Sequence, residues 1–215
     1  MALAKLTKNT SIYLLGNILN RLGAFLLLPL YTNYLTLEEY GSLEIIYTIN
    51  TVLSLLFGAG LAHATLRFYF DRQESEYRKS VIATNMSVSL IVALFGALCV
   101  SAFAEPISLW LFSIDHRVLI YLALVIIVIE LNNEVMLAYL RALEKAKLFV
   151  AISLLRLLAQ ISVSIYLVSF LNMSIKGVLI ANLFSVALIW ASLLIYTLRK
   201  TGFKPSIVLS RSILK

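Results

Sequence analysis

The chain has 215 residues, 61% of them hydrophobic and 13% charged, with a net charge of +7. A soluble domain, about half apolar and a quarter charged, is not built from this mixture. The charged residues fall between long apolar runs, the pattern of a chain whose surroundings alternate between lipid and water. The single cysteine, Cys99, lies inside such a run, which excludes a disulfide framework or a cysteine-rich metal site and predicts a packing or lipid-facing role.

A spanning helix needs about 20 apolar residues. Six runs meet that length: 10–33, 41–63, 80–103, 118–139, 148–170 and 177–198. The expected fold class is therefore all-α, a polytopic membrane protein with a six-helix transmembrane lobe over 1–198 and a basic segment over 199–215. The first run follows Lys5 and Lys8 as a signal peptide would, but it is too long and reaches Glu38-Glu39 without a small-residue cleavage site. Pro29 removes a backbone hydrogen bond and predicts a kink. Residues 34–40 form a tight turn, and Gly58-Ala59-Gly60 permit close helix contact or bending. Residues 69–79 read as a charged loop and 145–147 as a short hairpin. The connection 104–117 holds Glu105-Pro106 and then Leu109, Trp110, Leu111 and Phe112, which suits a helix on the lipid surface better than a gate.

Fourteen of the 18 Lys and Arg residues fall on the side of the chain termini: before the first run, after the second, after the fourth and after the sixth. Only Arg117 and Lys176 lie opposite, while Arg21 and Arg156 lie within runs. By the positive-inside rule both termini are cytoplasmic. The net charge thus reads as topology, not as a surface for nucleic acid.

Function is sought in polar groups inside the spans, where a charge costs about 2.5–3.5 kcal/mol even on insertion scales. Asn17, Asn20 and Arg21 share a face of the first span with Thr10; Ser153, Arg156, Gln160 and Ser164 form a stripe on the fifth; Glu130, Asn133, Glu134 and Arg141 share a face of the fourth. Arg21 lies roughly 16 Å and Arg156 roughly 12 Å from the inner end. Two readings stand side by side. Arg21 or Arg156 neutralises Glu130 or Glu134 and fixes helix packing, or the two arginines line a wet cavity and hold an anionic group such as a phosphate by bidentate hydrogen bonds. Glu44, Thr48, Thr51, Gly58 and Ala62 gather on the second span, with Glu44 close to its outer end. His63, beside Arg67, suits a capping role.

Enzyme motifs are missing from the sequence. Neither His63 nor His116 has a carboxylate four or five residues on, two lone histidines make no zinc site, and there is no Gly-rich phosphate loop. Glu38-Glu39 lacks the arginine of a membrane-protease signature. No cofactor is called for.

Lys8-Asn9-Thr10-Ser11-Ile12-Tyr13, Gly16-Asn17, Asn20-Arg21, Leu28-Pro29-Leu30-Tyr31, Leu35-Thr36 and Glu39-Tyr40-Gly41, with Gly60-Leu61, Arg67-Phe68-Tyr69 and Arg156 further on, carry a resemblance. The chain resembles the polysaccharide transport family, the oligosaccharide or O-antigen flippases of the multidrug/oligosaccharidyl-lipid/polysaccharide exporter superfamily. The resemblance implies a translocase of a polyprenyl-phosphate-linked oligosaccharide for surface polysaccharide or lipopolysaccharide biosynthesis. It would sit in the inner membrane and work by alternating access between two six-helix lobes. By that likeness Arg21 and Arg156 bind the anionic head group, and Asn17, Asn20 and Gln160 contact sugar hydroxyls or the head group. Glu130 and Glu134 are the carboxylates for ion coupling. The implied partners are the lipid-linked substrate and membrane lipids, with a polysaccharide polymerase and glycosyltransferases as neighbours. The family has twelve to fourteen spans, so the likeness also implies that this chain is one lobe, a fragment whose basic end leads to a second. The alternatives are a small-molecule or drug exporter of the same superfamily and a non-transporting partner of a glycan synthase.

The cationic bias makes the topology testable by cysteine labelling. Replacements at Lys5, Ser75, Lys145 and Lys204 are expected to react only with membrane-permeant reagents, and replacements at Asp115 and Met173 with impermeant ones. Labelling of position 75 from outside would reverse the orientation.

Overall fold

The computed structural model describes residues 25–58, 60–112 and 116–202, with Leu14, Gly16, Ile18 and Pro205. The helices are α1 (25–34), α2 (Leu37–Gly58), α3 (Leu61–Asp71), α4 (Ser75–Ser101), α5 (Ala104–Phe112), α6 (Arg117–Ala142), α7 (Ala146–Ser164, continuing as a π turn over Ile165–Phe170) and α8 (Ser174–Thr201). No strand occurs among the described residues. Five segments are long and apolar enough to cross a membrane: Leu37–Asp71, Ser75–Ser101, Arg117–Ala142, Ala146–Phe170 and Ser174–Thr201. The chain is an all-α polytopic membrane bundle. These five segments match the second to sixth expected spans. The expected polar face of the first, with Asn17, Asn20 and Arg21, lies outside the described residues, as does most of the basic segment after Gly202.

Helices α4, α6 and α8 have 27, 26 and 28 residues, about 40 Å each at 1.5 Å per residue. They outrun their apolar stretches because a helix that fills the ~30 Å hydrocarbon layer continues into the head-group zone. The Thr36 hydroxyl and the Glu39 carboxylate start α2 as a capping box. Glu39 N–H donates to Thr36 Oγ1 at 3.3 Å and Thr36 N–H donates to Glu39 Oε2 at 2.8 Å, so each satisfies a backbone group of the other. The Ser174 hydroxyl at the start of α8 also donates to Glu39.

The segment 69–79 departs from the expected loop. Helix α3 runs on to Asp71, because Leu61, Thr65 and Tyr69 form a buried stripe at helical spacing, and only 72–74 are irregular. Arg78 closes the turn, its Nε donating to the carbonyls of Tyr69 at 3.1 Å and Arg72 at 3.0 Å. Helix α5 lies as expected, with Ala104 and Ser108 turned inward and Trp110 almost fully exposed. Cys99 is exposed on α4.

Helix α6 is the hub, packing against α2, α3, α4, α5, α7 and α8. Its C-terminal half meets α4 and α8 through Met86, Val135, Met136, Leu140, Ile189 and Leu193; its N-terminal half meets α1, α2 and α8 through Leu27, Leu43, Ile46, Ile126 and Leu179. Between these clusters Asn132 joins three helices. Its Nδ2 donates to the Met86 carbonyl at 2.9 Å and to Ser89 Oγ at 2.8 Å, and its Oδ1 accepts from Trp190 Nε1 at 2.9 Å. Hydrogen bonds between membrane helices are worth about 0.6–2 kcal/mol each. Asn132→Leu is expected to lose about 1–3 kcal/mol, because it strands the indole N–H. Trp190→Phe on that background should restore part of the loss, read as thermal unfolding in detergent.

Candidate functional site

The second span is interrupted. Gly60 takes φ +85°, a left-handed backbone, between α2 and α3. At membrane depth an interrupted backbone survives only where it is buried in protein or lines a wet cavity. Here Gly58, Gly60, Leu61, Ala62 and His63 line a cavity of about 670 Å³, closed by Tyr47, Asn50, Thr51 and Ser54 of α2, Glu130 and Glu134 of α6, and Asn182 of α8. The far side of the break is anchored. The Leu61 carbonyl accepts from Asn85 Nδ2 at 2.8 Å and from Thr65 Oγ1 at 2.9 Å, and the Asn85 amide also meets the Thr65 hydroxyl.

The polar side chains of α2 reach this cavity because Tyr47, Asn50, Thr51, Ser54 and Gly58 recur three or four residues apart and so share a face. Glu44 and Thr48 stand exposed to the side. Asn50 Oδ1 is buried without a partner among the described residues. Asn50, Ser54 and Asn182 were missed by the search for charges, although the spacing of the first two was a readable signal. Asn182 has no such companion on α8.

Of the ion pairs open from sequence, one forms across helices among the described residues. Arg156 Nη2 on α7 meets Glu130 Oε1 on α6 at 2.5 Å, with 27% and 29% of the two side chains exposed. Glu130 lies 13 residues from the start of α6, about 20 Å along it and near the middle of the bilayer. Glu134 lines the cavity and pairs within its own helix, Arg141 Nη2 lying 3.6 Å from its Oε2. Asn133 turns away from the expected common face to donate to the Val186 carbonyl at 3.2 Å. Gln160 and the buried Ser164 extend the α7 stripe outward to the buried Tyr31 hydroxyl, which also neighbours Tyr47. A polar seam therefore runs from Tyr31 through Tyr47 and Gln160 to the Arg156–Glu130 pair and the cavity. Arg21, Asn17 and Asn20 lie outside the described residues.

Together, a bundle of apolar spans, a broken helix and a cavity carrying amide, hydroxyl and carboxylate groups define a polytopic membrane protein with an intramembrane cavity. Residues 6–215 match the family model described as polysaccharide biosynthesis protein, and the chain belongs to that family. The match agrees with the resemblance carried by its first 70 residues, and it gives the chain a role in polysaccharide biosynthesis or transport. No curated protein and no solved structure matched the chain.

Breaking a dry buried ion pair from one side costs about 3–5 kcal/mol; water reaching a quarter of each side chain reduces this. Arg156→Ala is expected to lose about 2 kcal/mol by stranding Glu130. Arg156→Ala with Glu130→Gln should regain most of it, measured as unfolding temperature and membrane abundance. A double variant as weak as the single one would show that the pair does not stabilise the bundle.

Proposed function

We propose that this protein translocates a polyprenyl-phosphate-linked oligosaccharide across the cytoplasmic membrane for surface polysaccharide assembly, with both termini in the cytoplasm and no chemistry performed on the cargo. The observation that carries the reading is the cavity behind the broken second span. Its volume of about 670 Å³ falls in the ~300–1,000 Å³ range of ligand sites. Its amide and hydroxyl groups, Asn50, Thr51, Ser54 and Asn182, suit sugar hydroxyls.

Arg156 supplies the anion contact in this reading, with Arg21 as the second cation and Asn17, Asn20 and Gln160 around them. An arriving phosphate competes with Glu130 for the guanidinium, whose planar fork serves either oxyanion. Glu130 released from Arg156 is then a mid-membrane carboxylate without its partner, open to a coupling proton or sodium ion. This offers a route for coupling cargo to an ion gradient, with Glu134 on the same path. Rocking of one lobe against another then exposes the cavity alternately to each side. The polyprenyl tail stays in lipid, and glycosyltransferases and a polymerase act before and after. A small-cation exporter calls for surplus negative charge; Glu130 and Glu134 are each matched by an arginine, which favours an anionic cargo.

Filling the cavity separates transport from scaffolding. In cells lacking their own flippase and supplied with this lobe continued into a second six-helix lobe, Ser54→Trp is expected to abolish surface polysaccharide while the protein stays at normal abundance in the membrane, and Ser54→Ala to leave it unchanged. Normal surface polysaccharide with a tryptophan in the cavity would sink the transport reading.

A further inference from the structure

A second concavity lies at the opposite end of the bundle from α5, where α3, α4, α6 and α8 leave the apolar layer. It encloses about 320 Å³ and is lined by Arg78, Lys79, Lys145 and Lys200 around Tyr69, Tyr139 and Tyr196, with no carboxylate among its lining residues. The four cations come from three separate parts of the chain: the start of α4, the α6–α7 turn and the end of α8. Gathering them around one space costs repulsion that only an anion relieves. Lys79 is answered by Glu76 at 2.9 Å. Lys145 and Lys200 have no partner among the described residues.

Arg78 is the fixed element. Its Nε is held by the carbonyls of Tyr69 and Arg72, and its guanidinium carbon lies 4.9 Å from the centre of the Tyr69 ring. Among the described residues its two terminal nitrogens carry no hydrogen bond. A guanidinium oriented by one edge and one face presents its remaining N–H groups ready for a tetrahedral oxyanion.

We infer that this pocket binds the phosphate of an anionic phospholipid head group. Free phosphate shares the chemistry, but the position favours a lipid. The lining residues lie within a few positions of the ends of four spans, at the level where head groups reside. Tyrosine is the side chain that settles at that level, with its ring in the apolar layer and its hydroxyl in water. Basic pockets between spans on the positively charged side are the form such head-group sites take. The site is separate from the mid-membrane cavity and does not depend on what that cavity carries.

Thermal unfolding of the full chain in a neutral detergent tests it. Dioctanoyl phosphatidylglycerol is expected to raise the unfolding temperature saturably, and neither dioctanoyl phosphatidylcholine nor inorganic phosphate at equal concentration should do so. Lys145→Gln with Lys200→Gln changes only side chains without protein partners, and should raise the half-saturating phosphatidylglycerol concentration by about tenfold to thirtyfold. Arg67→Gln with Lys147→Gln removes the same charge from the same side outside the pocket, and should change it by less than about threefold. An unchanged midpoint in the Lys145/Lys200 variant, or an equal loss in the Arg67/Lys147 variant, would overturn the site. Equal stabilisation by inorganic phosphate would overturn the lipid assignment.

Discussion

Four polar side chains within five residues of α6 organise this bundle, because in hydrocarbon each must find a partner inside the protein. Glu130 reaches α7, Asn132 reaches α4 and α8, Asn133 reaches the α8 backbone, and Glu134 turns to the cavity and back to Arg141. Apolar contacts between membrane helices choose poorly among rotations, since lipid is as apolar as leucine. The polar run chooses. It gives α6 one rotation relative to three neighbours at the depth where the cavity opens.

The same run explains how structure and binding coexist at one place. A mid-membrane arginine without a partner is costly, and pairing it with Glu130 holds it in place. Because about a quarter of each side chain is open, the pair is held less tightly than a dry one. In the proposed function an incoming oxyanion meets an arginine already placed, opposed by one carboxylate. Stability and affinity are thereby set against each other through a single guanidinium.

What the sequence discloses follows the physics of each feature. Spans two to six were readable because the bilayer imposes a length, and the surface helix at Trp110 because its aromatic and apolar residues follow Glu105-Pro106, a proline that fits the first turn of α5. Arg156 and Glu130 stood out as charges inside apolar runs, but their choice of each other over Arg21 or Glu134 depends on helix rotation, which no spacing along one chain records. Asn132 was not legible because it lies off the face that spacing assigns to Glu130 and Glu134, and its three bonds go to residues 43 to 58 positions away. The interruption at Gly60 was visible as small residues, but not as a break. Bending and breaking use the same glycines, and it is Asn85 on another helix that satisfies the Leu61 carbonyl. Tyr69 looked like loop because of the charges that follow it, whereas its burial carries α3 past them.

Glu39 receives hydrogen bonds from the start of α2 and from Ser174 at the start of α8. The two helices run in the same direction, so this carboxylate sits at the positive ends of two dipoles at once and ties them at equal height. Sliding α8 along α2 by one residue, about 1.5 Å, breaks that tie, while fanning the far ends apart leaves it whole. The Glu39 corner is therefore built as a pivot, stiff to a piston stroke between α2 and α8 and softer to a scissor of their far ends.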